Sequence, residues 1–199
     1  MIPVTTEVKK ILMVKQIFNE HVQVVTDTSN SCGNEIERFA ELCRNAVSNH
    51  QTVFFCGNGG SAADAQHLAA EFVGRFQKER TGLPALALTT DTSILTSISN
   101  DYGFEQVFAR QVQALVRRND LVVGISTSGN SPNVLQAVAA AKAKEAYTVG
   151  MTGRDGGRLA ELCDVCIKVP SDITARIQET HILIGHILCQ IIDEVAASV

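Results

Sequence analysis

The stretch from Cys56 to Arg75, C-G-N-G-G-S-A-A-D-A-Q-H-L-A-A-E-F-V-G-R, limits the fold more than any other part of the chain. It follows Val53, Phe54 and Phe55, an apolar run that reads as a buried strand. Gly57, Gly59 and Gly60 permit a sharp turn and close approach of the backbone to a ligand. Ser61 suits an N-cap, and Ala62 to Ala70 are strong helix formers. Strand, glycine turn and helix therefore follow one another. The start of such a helix aims free N–H groups and partial positive charge into the turn, which suits an anion such as phosphate. His67 and Glu71, four residues apart, share one helix face. The turn matches neither G-x-G-x-x-G nor the G-K-[ST] pattern. A histidine on an alanine-rich face is more often a packed surface residue than a ligand, so at this point both readings of the pair stand.

The remaining pattern repeats the alternation. Pro84 to Leu88 reads as a buried strand, and Asp91 or Thr92 starts a helix that ends at a turn-rich Ser99-Asn100-Asp101-Tyr102-Gly103. Phe104 to Val116 is a further helix. Leu121 to Ile125 is a third strand, followed at once by Ser126-Thr127-Ser128-Gly129-Asn130-Ser131-Pro132. Here Ser131 is expected as N-cap and Pro132 at the first helical position, with a helix to about Glu145. Thr148 to Met151 and Val165 to Val169 are strands four and five, joined through a turn at Gly153 to Gly157. Ile173 to Ala197 is a long C-terminal helix. Before the first strand, two amphipathic helices are expected, Thr5 to Val25 and Ile36 to Val47, with a polar break over 26–34.

Continuous apolar strands alternating with helices predict an α/β fold with a parallel sheet covered on both faces. Ligands of such sheets bind beyond the carboxyl ends of the strands, where both the 57–61 and 126–131 turns fall. The second turn carries four hydroxyls in six residues. Hydroxyls and helix N–H groups together satisfy phosphate oxygens without Arg or Lys, and they exceed what one helix cap requires.

A chain of 199 residues fits one domain. Its net charge of −4, without a basic block, makes nucleic acid an unexpected partner. No apolar run approaches a membrane span, and no apolar leader opens the chain, so a soluble cytoplasmic protein is expected. Among six cysteines the one close pair is Cys163 and Cys166, with no second C-x-x-C to complete a zinc ribbon. They read as reduced core residues.

The last helix carries Gln178, His181 and His186 among apolar residues. Gln178, Ile182 and His186 form an i, i+4, i+8 row, and His181, about 300° from Gln178, falls near the same side. The row offers ligands that could join His67 and Glu71 around zinc, with His181 behind them. From spacing alone, a core histidine bonded to a backbone carbonyl is the better reading of His186.

Taken together, C-G-N-G-G-S-A-A-D-A-Q-H-L-A-A-E, S-N-D-Y-G-F, G-I-S-T-S-G-N-S, T-G-R-D-G-G and R-I-Q-E-T-H-I-L-I-G-H resemble the phosphoheptose isomerases of the sugar isomerase (SIS) domain superfamily. The resemblance covers nearly the whole chain. It implies a single three-layer SIS domain over 1–199, a five-stranded parallel sheet flanked by helices, with a helical extension over about 1–50 used in oligomer packing. It implies conversion of sedoheptulose 7-phosphate to D-glycero-D-manno-heptose 7-phosphate through an enediol, the first step toward activated heptose for surface glycans such as lipopolysaccharide core. It implies a homotetramer with active sites at subunit interfaces. The family pattern assigns the sugar phosphate to Asn58, Gly59, Gly60, Asn100, Asp101, Ser126, Thr127, Ser128 and Ser131, with Ser61 and Gln178 beside them. It assigns Zn2+ to His67, Glu71, Gln178 and His186, and the acid/base pair to Glu71 and His186. Ala175 departs from members that carry Asp there and matches a Thr-Ala-Arg subgroup. The alternative is a non-catalytic SIS protein that binds the replication initiator DnaA. That protein lacks the acidic and histidine residues that stand here at 71 and 186. Sugar-phosphate sensor domains are expected to carry a further DNA-binding or CBS module, for which 199 residues leave no space.

Overall fold

The computed structural model describes residues 6–196, with side chains from 10 to 194. Five strands form one parallel sheet: β1 (Val53–Gly57), β2 (Ala85–Ala87), β3 (Leu121–Ile125), β4 (Tyr147–Gly153) and β5 (Val165–Val169). Their order across the sheet is β2-β1-β3-β4-β5. The chain leaves β1 outward to β2, then crosses back to β3 and runs the other way. The reversal lies between β1 and β3, where Gly57 pairs with Ile125, the point at which open α/β sheets place ligands beyond the strand ends.

Both faces of the sheet are buried, which is why its central strands lack polar alternation. Val53, Phe55, Val123, Ile125 and Met151 point to one face. It is covered by α1 (Thr6–Ser48), α2 (Gly60–Val73) and α7 (Thr174–Ala196), through Phe39, Leu68, Phe72, Ile184 and Leu188. Phe54, Cys56 and Val122 point to the other. That face receives α4 (Val107–Leu115), α5 (Pro132–Ala143) and α6 (Gly157–Leu162) through Phe108, Val112, Val138 and Leu159. Among the described residues no helix is long and apolar enough to cross a membrane.

Several expectations are corrected. The two N-terminal helices are one helix of 43 residues, about 65 Å long at the usual rise. The polar stretch 26–34 does not break it, because its hydroxyls fold back onto their own helix. Thr26 donates to the Val22 carbonyl, Thr28 to Val24 and Ser31 to Asp27. The expected helix start at Thr5 lies outside the described residues. β2 is a three-residue edge strand with Leu86 exposed, rather than a five-residue buried one. α3 (Thr92–Tyr102), capped by the Asp91 carboxylate on the Ile94 N–H, runs through the stretch expected as a turn. A short 3-10 turn over Phe104–Gln106 precedes α4. α6, unforeseen, starts after Gly156 at φ 93°. Ser61 is not an N-cap: that place belongs to Gly59 at φ 55°, and Ser61 lies buried inside the first turn of α2.

The cysteines are free, as expected. Burial pushes the Cys56 thiol up to about 12 and, with a smaller push from Glu71, Cys189 to about 12 as well.

Candidate active site

The glycine turn leaves β1 and the serine turn leaves β3 at neighbouring positions of the same edge. Two asparagines join them. Asn58 donates its amide to Asn133 Oδ1 at 2.9 Å, and Asn133 returns the bond to Asn58 Oδ1 at 2.7 Å. Asn133 is buried in the first turn of α5, and its Oδ1 also accepts the Val134 N–H. Nothing in the sequence singles it out, since its partner lies 75 residues away.

The serine turn holds its hydroxyls together. Ser126 Oγ lies 2.9 Å from Ser131 Oγ and 3.5 Å from Ser128 Oγ. Ser131 occupies the N-cap position with Pro132 next, as expected, but its hydroxyl faces Ser126 instead of capping the helix. Three hydroxyls thus gather at the N-terminal, partly positive end of α5, which suits a phosphate. The turn is braced from behind, because Leu159 donates to the Gly129 carbonyl and Arg158 to Asn130 Oδ1.

The glycine turn brings α2 in from the other side. His67 Nε2 stands 2.9 Å from His186 Nε2 and 3.4 Å from Glu71 Oε1. One of the two imidazoles donates to the other. α2 and α7 therefore bring together three of the four expected metal ligands, and both expected acid/base residues. Glu71 is the better shielded, its side chain 22% exposed against 47% for His67. Gln178 meets the mouth of the glycine turn: a Cβ at Gly60 would stand 2.6 Å from its Nε2. Among the described residues no group of three or more His, Cys, Asp or Glu is poised to hold a metal ion. The donor set itself, two imidazole nitrogens and a carboxylate oxygen in a half-open place, has the chemistry that zinc takes.

One neighbour falls differently from expectation. His181 is not behind the ligands. It is buried, bonded through Nε2 to the Thr152 carbonyl at 3.0 Å, and burial lowers its pKa to about 4. The carbonyl-bonded core histidine considered for His186 is thus His181. Rotation explains the exchange: about 100° per residue sets the two histidines about 140° apart around α7, one toward the sheet and one toward α2. Asn100 and Asp101 lie exposed in the last turn of α3, where the Asn100 amide donates to Asp101 at 2.8 Å. The single chain does not bond them to either turn.

Sequence spacing also passed over Asp64, one turn before His67. Its Oδ2 is buried without a hydrogen-bond partner, and burial lifts the carboxyl to about 6 against the opposing pull of His67.

The SIS domain family matches residues 16–153, more than half of the chain. A phosphoheptose isomerase of Nitratiruptor sp. is 61% identical over 153 residues, covering 77% of this chain and 82% of that protein. The solved phosphoheptose isomerase of Neisseria gonorrhoeae superposes with a TM-score of 0.87 at 47% identity, over 92% of this chain and 97% of that one. That of Francisella tularensis gives 0.89 at 39% identity, over 96% of this chain and 100% of that one.

Proposed function

This chain belongs to the SIS domain family and, within it, to the phosphoheptose isomerases, and from that premise we propose that it interconverts sedoheptulose 7-phosphate and D-glycero-D-manno-heptose 7-phosphate. The observation that carries the reading is the convergence of His67, Glu71 and His186 beside a hydroxyl-rich turn at the reversal point of the sheet. The relatives named above speak for an isomerase and give the DnaA-binding alternative no support.

The ketose and the aldose differ by one proton on carbon and one on oxygen. Glu71 takes the proton from C1 and returns it to C2. His186 gives a proton to the C2 oxygen as the enediol forms and accepts one from the C1 oxygen as it collapses. The phosphate is remote from these carbons. Ser126, Thr127, Ser128 and Ser131 with Asn58, Gly59, Gly60 and Ser61 hold it, with Gln178 beside Gly60. Phosphate binding energy thereby orients C1 and C2 beneath Glu71. Zinc is part of the proposal, with His67, Glu71, Gln178 and His186 as its ligands. When bound it supplies electrophilic pull on the carbonyl and hydroxyl oxygens of the sugar.

We extend the proposal to a cytoplasmic homotetramer whose cleft is completed by a neighbouring subunit. Ile11, Leu12, Met13, Val14, Phe18 and Val22 are all more than half exposed along the first part of α1. α3, which carries Asn100 and Asp101, buries no residue in the single chain. Exposed apolar surface of this extent on one helix is covered in a stable soluble protein. A neighbour seated there gives Asn100 and Asp101 a route to substrate that one chain lacks.

The direct test is purified protein with sedoheptulose 7-phosphate, followed by NMR of the sugar, with metal content and sedimentation measured on the same sample. Aldose signals are expected to appear, to fade with a chelator and to return with zinc. No conversion by the zinc-loaded protein overturns the activity, a metal-free active sample overturns the zinc, and a monomer overturns the assembly.

The serine turn has its own test. Ser128 touches phosphate equally in ground and transition states. Ser128→Ala should therefore raise KM about ten-fold and leave kcat within about two-fold, as loss of uniform binding requires. Steady-state kinetics showing a normal KM and a collapsed kcat would assign the hydroxyl another task.

A further inference from the structure

Phe76 lies outside every role assigned above, yet its ring stacks on the His186 imidazole, centroids 5.4 Å apart and planes at 25°. His67 meets the same imidazole edge-on, at 5.2 Å and 69°. His186 is therefore bounded by an aromatic face on one side and by its site partner on another. Phe76 belongs to the connection after α2, and a connection holds a ring in place only if it is itself held.

It is held by one buried ion pair. Asp193, two turns beyond His186 on α7, accepts the backbone N–H groups of Gln77 at 2.7 Å and Lys78 at 2.9 Å. Its other oxygen accepts from Arg80 Nε at 2.7 Å, and the two side chains are 2% and 1% exposed. Arg80 then donates to the carbonyls of Glu71 at 2.8 Å and Phe72 at 2.9 Å. Bare carbonyls at a helix end need donors, and that need alone accounts for Arg80. It does not account for Asp193 gripping the two N–H groups that directly follow Phe76. The pair joins the end of α2 below Glu71, the loop bearing Phe76 and the helix bearing His186.

We propose that Phe76, clamped by Arg80 and Asp193, is a positioning residue that fixes the plane of the His186 imidazole for proton transfer. The inference rests on His186 being the acid/base partner of the isomerase. The stack closes off rotation of the imidazole away from His67, and its nitrogen then keeps one direction toward the sugar oxygens. Misplacement of a reacting group by an ångström costs up to about a hundredfold in rate, so loss of one restraint among several is set at about ten-fold.

The test compares Phe76→Leu and Phe76→Tyr in the full chain, each with its metal content measured. Phe76→Leu should lower kcat about ten-fold with KM unchanged within about two-fold, the pattern of an interaction that matters at the transition state. Phe76→Tyr, which keeps the ring, should restore kcat. The His186 imidazole signals in a proton–carbon NMR spectrum, assigned by their loss in His186→Asn, should move downfield in Phe76→Leu and stay in place in Phe76→Tyr. Unmoved signals or an unchanged kcat in Phe76→Leu overturn the proposal, as does a Tyr variant as slow as the Leu variant. An unaltered protein without isomerase activity defeats the functional reading itself, and that arm is scored separately.

Discussion

Gly129→Ala is expected to unseat the serine turn and to cost more stability than any other single methyl added to the two ligand turns. Gly129 sits at φ +65°, and a Cβ there would stand 1.9 Å from the Gly156 carbonyl oxygen and 2.5 Å from its carbon. Both are backbone atoms of the turn that leads into α6, so no side chain can rotate away. The Gly129 carbonyl also accepts the Leu159 N–H at 2.9 Å, which ties the turn to that helix. Left-handed backbone with a Cβ costs roughly 1–2 kcal/mol by itself. Gly59, at φ +55° and ψ −121°, is a comparison strained in its backbone but free of the clash, with nothing within 4 Å of its added Cβ. Displaced backbone adds to the first cost, and a total of about 3 kcal/mol or more falls among the named mechanisms of large destabilisation. For a domain of this size that lowers Tm by roughly 6–12 °C. Thermal unfolding of both variants checks it. A Gly129→Ala melt equal to or milder than that of Gly59→Ala would show that the turn is not held against Gly156. In Gly129→Ala the hydroxyls of Ser126, Ser128 and Ser131 should disperse, and sedoheptulose 7-phosphate should bind at least about ten-fold more weakly by calorimetry.

Much of this arrangement is legible in the linear chain, because the features concerned are local. Val53 to Gly57 and Leu121 to Ile125 are apolar without alternation since both of their faces are covered. Glycine and hydroxyl turns after such strands fall at the ligand edge by the geometry of parallel sheets. Other features depend on what the chain meets in three dimensions. The polar stretch 26–34 looks like a break, yet its hydroxyls bond carbonyls four residues back, and Thr28 and Cys32 are buried against the rest of the protein. His181 and His186 share one helix and one residue type, and only the position of α2 decides which becomes a site residue. Asn133, Asp64 and Phe76 have no spacing that marks them. Their roles come from an amide partner on another turn, a buried oxygen and a ring across a loop. The family motifs mark His67, Glu71, Gln178 and His186 as an expected set, of which His67, Glu71 and His186 lie close together. Spacing alone would have left His186 in the core.

Glu71→Gln is expected to leave a folded protein, in the same state of association as the unaltered one, that isomerises at least a hundredfold more slowly, the lower end of the roughly 10²–10⁴-fold that a general base supplies. The substitution is nearly isosteric. It keeps an oxygen that faces His67, at present 3.4 Å from its Nε2, and removes the group able to take a proton from carbon. The Glu71 carbonyl remains bonded to Arg80, so the end of α2 stays tied to Asp193 and the backbone of the site is unchanged. Loss of a carboxylate also weakens a zinc site, and metal content must therefore be read on the same samples. If zinc stays at the level of the unaltered protein while kcat falls and KM holds, the missing function is proton transfer. If zinc leaves and added zinc restores the rate, Glu71 serves the metal and not the proton. His186→Asn examines the other helix. It removes the imidazole that faces His67 at 2.9 Å and stacks on Phe76 at 5.4 Å, and it should slow turnover to a similar degree. Residues that act as a unit lose their effect together, so the double variant should be little slower than the slower single one. Both variants turning over sedoheptulose 7-phosphate at near the unaltered rate would remove Glu71 and His186 from the chemistry, whatever their proximity.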